Sequence, residues 1–246
     1  MILENKNILV TGANRGIGAA VVKELLKHKT GKIYAAARKT AGLPKFGDSR
    51  VVPLELDITN AKQVAAATQT ANDLHVLVNN AGTAHHGGLL EASIEDIKAD
   101  MDTNYYGTLS MVRAFVPVLE KNGHGLIANV GSVVGLAAIS MIGGYSASKF
   151  ALSALTQSLR AELASKGIRV SGIYPGPIDT GMAKNFAMEK ASPESTAELI
   201  VKGLIAGDEY IFPDRMSQDW GRLWMKDPVA LEKQFAVPPA TAKEAA

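Results

Sequence analysis

Tyr145 and Lys149 stand four residues apart, and Ser132 precedes the tyrosine by thirteen. On a helix, positions i and i+4 share a face, so the phenol and the ammonium would point the same way. An ammonium beside a phenol favours the phenolate and is expected to lower its pKa from about 10. A phenol tuned in that way can donate and accept a proton near neutral pH. A pair of this kind also occurs on ordinary solvated helix faces, so the rest of the sequence has to decide its meaning.

The second group of residues is Thr11-Gly12-Ala13-Asn14-Arg15-Gly16-Ile17-Gly18. A glycine-rich turn between a strand and a helix lets backbone N–H groups approach a pyrophosphate, whose charge the helix N-terminus stabilises. The spacing is GxxxGxG, not the GxGxxG of the general dinucleotide fingerprint. About 20 residues past the last glycine, where a carboxylate would hydrogen-bond a ribose 2′-hydroxyl, the chain carries Arg38-Lys39. No Asp or Glu lies in 35–43. A 2′-phosphate would find Arg38 and, from the glycine turn, Arg15, so the expected cofactor is NADP(H). Asp57-Ile58 could meet the adenine, the carboxylate accepting from its amino group, although Asp57 could equally cap a helix ahead of Asn60. Asn79-Asn80-Ala81-Gly82 combines two amides that can steady a strand end with two small residues that let a sugar or ring approach.

These groups need elements to place them. Short apolar runs at 7–10, 32–37, 51–56, 74–78, 126–130, 169–174 and 210–212 read as strands. Between them, helices are expected over 16–29, 60–70, 93–119, 145–165 and 192–205. Ser93 with Asp96 suggests a capping box, and Ser192-Pro193-Glu194 an N-cap followed by proline at the first helical position. Strand and helix in alternation predict an α/β fold: one domain over residues 1–246, a Rossmann-type doubly wound parallel sheet of about seven strands with helices on both faces. In such sheets ligands bind beyond the carboxyl ends of the strands, where all the groups above fall.

Composition narrows the classes. The 246 residues include 26 basic and 24 acidic side chains, a net charge of +2, which gives no basic patch for nucleic acid or an anionic membrane. With no cysteine there is no disulfide, thiolate zinc site or thiol nucleophile. The start lacks a secretory leader pattern, and the uncharged stretch 126–148 carries too many glycines and polar side chains for a membrane span. The expected location is cytoplasmic. Adjacent His85 and His86 diverge and have no helical partner ligand, so no metal is expected.

Taken together, Thr11–Gly18, Asn79–Gly82, Asn104, Ser132, Tyr145, Lys149 and the segment Pro175-Gly176-Pro177-Ile178-Asp179-Thr180 resemble the short-chain dehydrogenase/reductase family. The resemblance covers about residues 7–180 and fades beyond. It implies Tyr145 as acid/base and Ser132 as the hydrogen-bond partner of the substrate oxygen. Lys149 would bond the nicotinamide ribose and lower the tyrosine pKa, and Asn104 would hold a water for proton relay. Cofactor contacts are expected from Gly12, Asn14, Arg15, Gly16, Ile17, Gly18, Arg38, Asp57, Ile58, Asn79, Ala81, Gly82, Tyr145, Lys149, Pro175, Gly176, Ile178 and Thr180.

The expected reaction is reduction of a ketone or aldehyde by NADPH. The alternatives are a reductase of carrier-bound 3-oxoacyl chains and a non-catalytic NADP(H) sensor. Val134, Ile142, Met182 and Phe186 are expected to line an apolar substrate pocket, together with Leu136, Ile139, Met188, Trp220 and Trp224. A substrate loop is expected over 181–192 and a frayed tail over 238–246. The resemblance also implies a homodimer or homotetramer formed through the helices at 93–119 and 145–165.

Overall fold

The central strands of this chain are buried along their whole length because helices cover both faces of the sheet. A computed structural model describes residues 3–123, 125–184 and 188–236. Its strands are β1 (Ile8–Thr11), β2 (Ile33–Ala37), β3 (Val51–Glu55), β4 (Val76–Asn79), β5 (Gly125–Val130), β6 (Ile168–Ile173) and β7 (Tyr210–Ile211). All pair in parallel, in the order β3-β2-β1-β4-β5-β6-β7. The helices are α1 (Gly16–Leu26), α2 (Ala61–Thr70), α3 (Ile94–Met101), α4 (Thr108–Lys121), α5 (Gly143–Ala164), α6 (Pro193–Ala206), α7 (Arg215–Lys226) and α8 (Pro228–Ala236). This is the Rossmann-type doubly wound sheet that the alternation predicts.

The period-2 geometry of a strand divides the core. Leu9 of β1 packs with Leu77, Phe115 and Leu152 on one face of the sheet. Its neighbours Ile8 and Val10 pack with Val21, Val78 and Ile200 on the other. β3 is less buried and holds Pro53, which an edge strand tolerates. From β1 the chain winds outward through β2 to β3, then returns to β4 on the other side of β1. The connections after β1 and β4 therefore diverge, which opens a crevice at their carboxyl ends.

Two features depart from the expected elements. The predicted helix 93–119 is three pieces: α3, a π-helical turn at Asp102–Gly107, and α4. Ser93 caps α3 by accepting from Asp96 N at 3.1 Å, while the Asp96 carboxylate faces His85 Nε2 at 3.6 Å. The second departure is α7 and α8, which add helices after β7. Asp214 and Ser217 form a reciprocal capping box at the start of α7. Trp220 meets Phe235 edge-on at 4.9 Å, and Trp224 packs on Tyr210 at 5.7 Å. Both tryptophans thus serve a C-terminal core with Leu231 and Tyr174. Both rings are partly buried there, in the same cluster as Tyr145. The expected tail 238–246 lies outside the described residues. No helix among the described residues is long and apolar enough to cross a membrane, and no cluster of three or more potential metal ligands occurs among them.

Candidate active site

At the crevice, β1 leads directly into the glycine turn and α1. Gly12 has φ +66° and lies so close to β4 that an added Cβ would stand 2.9 Å from Ala81 Cα. A Cβ on Gly18 would collide with the Gly12 carbonyl oxygen and the Asn80 amide. Asn80 ties the two strand ends together: Nδ2 donates to Thr11 O at 2.9 Å, and its backbone N donates to Thr11 Oγ1 at 2.9 Å. No side chain caps α1, and its first turn holds no acid. A tight backbone cradle opening onto an uncapped helix N-terminus suits an anionic pyrophosphate.

Arg38 is exposed at the end of β2. Its charge helps hold the Asp57 carboxyl below the usual carboxylate range, after the larger contribution of the Thr59 hydroxyl bond. Asp57 makes a local turn with Thr59, and Asn60 caps α2 by accepting from Lys62 N and Gln63 N. The Arg15 guanidinium lies against Gly181, with Nη1 3.3 Å from where a Cβ there would stand. Thr180 likewise reaches Gly16. The segment after β6 therefore closes over the glycine turn. The Asn79 side chain turns into the sheet instead of the crevice, donating to Asn129 Oδ1 at 2.9 Å. Asn129 Nδ2 in turn donates to Thr156 Oγ1 at 3.0 Å on α5. The Asn79 side chain is thus one of the amides that steady the strand ends.

The catalytic candidates meet where β5 ends against α5. Ser132 follows β5 in an extended conformation; its hydroxyl accepts from Val134 N at 3.3 Å and donates to Pro175 O at 3.4 Å. A Cβ on Gly135 would stand 2.5 Å from Lys149 O, so the turn after Ser132 sits directly on α5. Lys149 is buried; its Nζ donates to Val130 O at 2.8 Å and lies 5.6 Å from the Tyr145 ring centroid. Asn104, also buried, faces Gly82: an added Cβ there would stand 2.8 Å from Asn104 Oδ1 and 3.8 Å from Lys149 Nζ.

One expectation about this centre changes. Burial pushes the Tyr145 phenol above its ordinary range; the adjacent Ser132 hydroxyl opposes the rise and the Asp100 charge adds to it. No depression by Lys149 enters that shift, and its ammonium is engaged by Val130 O. Burial likewise lowers Lys149 to about 8, with Asp100 acting in the other direction. Asn104 is held through both amide atoms: its Nδ2 donates to Thr83 O and to Ser148 Oγ, both at 2.9 Å, and its Oδ1 accepts from Thr83 N at 3.0 Å.

The proposed pocket residues divide. Val134 and Ile142 are buried in the C-terminal core, and Met182 is exposed. Phe186 lies outside the described residues. Pro175, Gly176, Ile178 and Thr180 run past the carboxyl end of β6; Gly176 N donates to Asp214 Oδ2 at 2.8 Å, and Ile178 bridges to Ala191. The sequence reading missed Thr83, Ser148, Asp100 and Asp214. Only Asp214 carried a local signal, its capping spacing to Ser217.

Residues 6–191 match the short chain dehydrogenase family model. A short chain dehydrogenase from Burkholderia cenocepacia, solved in complex with NADP, superposes with a TM-score of 0.91 at 39% identity, covering 97% of this chain and all of that one. The 3-alpha-(or 20-beta)-hydroxysteroid dehydrogenase of Mycobacterium bovis is 37% identical over 188 residues, 73% of this chain and 72% of its own. Ketoacyl reductase HetN of a Nostoc species is 29% identical over 219 residues, 82% of this chain and 76% of its own.

Proposed function

The chain belongs to the short-chain dehydrogenase/reductase family, and from that premise we propose that it is an NADPH-dependent reductase of ketones or aldehydes. The observation that carries this reading is the convergence of Ser132, Tyr145 and Lys149 between β5 and α5, beside the glycine cradle. An inactive sensor would have no need of that set. The chemistry a bound nicotinamide supplies is reversible hydride transfer to a carbonyl carbon.

This chain's residues do the rest. The turn Gly12, Asn14, Arg15, Gly16, Ile17 and Gly18 would hold the pyrophosphate, and Arg38 the 2′-phosphate. Asp57 and Ile58 would meet the adenine. Ala81, Gly82, Pro175, Gly176, Ile178 and Thr180 would flank the sugar and ring. Ser132 donates a hydrogen bond to the carbonyl oxygen, where negative charge builds. Tyr145 gives that oxygen its proton, and its raised pKa keeps the phenol protonated until then. Lys149 holds a positive charge beside the phenol and eases the loss of its proton.

The NADP-bound state of the similar Burkholderia protein supports the cofactor choice, as does the absence of an acid at 35–43. Ketoacyl reductase HetN favours a second reading, reduction of carrier-bound 3-oxoacyl chains. Exposed Tyr106 and Phe150 on the π turn and α5 support self-association through that face. The test follows NADPH absorbance with a panel of ketones, aldehydes and 3-oxoacyl thioesters, with NADH in parallel. Turnover of free carbonyls with NADPH preferred is expected. Thioester-only turnover supports the second reading, and equal use of NADH removes the cofactor assignment.

A further inference from the structure

Asp100 on α3 is fully buried, and the reaction outlined above gives it no task. A buried carboxylate is costly unless donors surround it. Three do. Thr83 Oγ1 donates to Oδ1 at 2.8 Å, His85 N donates to Oδ2 at 3.0 Å, and His85 Nδ1 lies 2.8 Å from Oδ1. A carboxylate only accepts, so that ring nitrogen carries the proton. All three donors come from one loop, the continuation of Asn79–Gly82. Asn104, one helical turn further on, grips the same loop from the π segment: it accepts from Thr83 N at 3.0 Å and donates to Thr83 O at 2.9 Å. Thr83 therefore has its hydroxyl, N–H and carbonyl all fixed from that helix. The residue before it, Gly82, is the wall between Asn104 and Lys149.

We propose that Asp100 is a positioning residue of the active centre: by clamping Thr83 and His85 it fixes the loop that packs Asn104 against Lys149. Its charge acts on the same place. The charged and titratable groups facing it are His85 from the loop, with Asp96 3.6 Å beyond Nε2, and Tyr145 and Lys149 from α5. Asp100 raises the pKa of both of the last two. One carboxylate thus serves as a clamp and as a fixed negative charge behind the proton-handling pair.

The inference rests on the reductase reading, and its test separates the two. Asp100→Asn keeps the shape and removes the charge; Thr83→Val and His85→Gln weaken the clamp and keep the charge. A misplacement of about 1 Å at a reacting group costs on the order of a hundredfold. Asp100→Asn is accordingly expected to lower kcat about 10- to 100-fold with little change in cofactor KM, and to move the pH–rate profile to lower pH. Thr83→Val and His85→Gln should lower kcat less and leave the profile in place. Wild-type kcat in Asp100→Asn overturns the inference, and so does a lower kcat with an unmoved profile. Should Asp100→Asn not fold, wild-type kcat in both other variants overturns it. If the wild-type protein reduces no carbonyl, the reductase reading fails alone. NMR titration of the Lys149 ammonium without substrate then decides: its wild-type midpoint must fall in Asp100→Asn or, failing that variant, move in neither charge-preserving one.

Discussion

The two ends of the crevice are made of different materials. At the β1–α1 end the cradle is backbone: Gly12 and Gly18 work by having no side chain, and no side chain caps the helix. At the β5–α5 end the site is side chains: Lys149, Asn104 and Ser132 are buried and each is committed to named partners. A backbone cradle is damaged by adding atoms, whereas a side-chain site is damaged by removing them. The largest test of this contrast is Tyr145→Phe. Loss of a positioned general acid costs about 10²–10⁴ in rate, so kcat should fall by at least two decades while NADPH affinity, set at the other end, stays within about twofold. Steady-state kinetics and a cofactor titration check it; a variant retaining a tenth of kcat removes Tyr145 from the acid role.

Gly18→Ala is the reciprocal test. The added methyl meets the Gly12 carbonyl and the Asn80 amide, both parts of the strand junction. Overpacking of this kind costs about 1–3 kcal/mol. A raised NADPH KM and a lowered unfolding midpoint are expected together, with kcat at saturating cofactor largely kept. A fall in kcat alone would mean that the two ends are not separable.

The contrast also explains what could be read in advance. Glycine spacing, apolar strand runs and the Tyr145–Lys149 interval are local, and the sheet, the glycine turn and the shared helix face of that pair follow from them. The partners of those residues come from distant parts of the chain. Lys149 bonds Val130 O, Asn104 bonds Thr83, and Asn79 bonds Asn129 fifty residues away. No periodicity carries such pairings. The Tyr145 phenol differs from expectation for the same reason: the i+4 spacing shows the ammonium but not the burial that raises the phenol. The π turn at Asp102–Gly107 likewise holds Asn104 against Ser148 of α5, a partner that helix propensity does not reveal. At the C-terminus, Trp220 and Trp224 were visible as aromatic residues, but only the packing assigns them to the core.

Lys149 offers a smaller effect, in stability instead of rate. Its folded pKa of about 8 lies below the ordinary lysine value of 10.5. Below about pH 8 both folded and unfolded chains are protonated there, and the full cost of the buried charge is present. Between these two values the unfolded chain binds the extra proton, so stability rises with pH; above 10.5 the contribution vanishes. The cost is at most about 3 kcal/mol. Lys149→Met removes it but leaves Val130 O without its donor, at about 1 kcal/mol. A net gain of about 1–2 kcal/mol near neutral pH is expected, shrinking towards pH 10.5, in a protein without activity. Urea unfolding at two pH values measures it, and a destabilised variant at neutral pH would mean that the ammonium is well accommodated.

Arg38 gives the smallest effect and sharpens the contrast, because it is the side-chain contact expected at the backbone end. It is exposed, and its visible partner Asp57 is already held by Thr59. Arg38 acts on Asp57 only through its charge, and even a formed pair between exposed groups is worth about 0–1 kcal/mol, so the protein's own stability should not depend on Arg38. A charge-assisted bond to a phosphate is worth more, about 1.5–3 kcal/mol. Arg38→Ser should therefore leave the unfolding midpoint unchanged and raise the NADPH KM about tenfold, which is about 1.4 kcal/mol, with the NADH KM unaltered. Added salt should narrow the difference between wild type and variant, since screening weakens the exposed contact. If both cofactors lose affinity equally, Arg38 orders the adenine side of the cradle in general. If neither does, the 2′-phosphate is read elsewhere, and Arg15 beside Gly181 becomes the residue to change next.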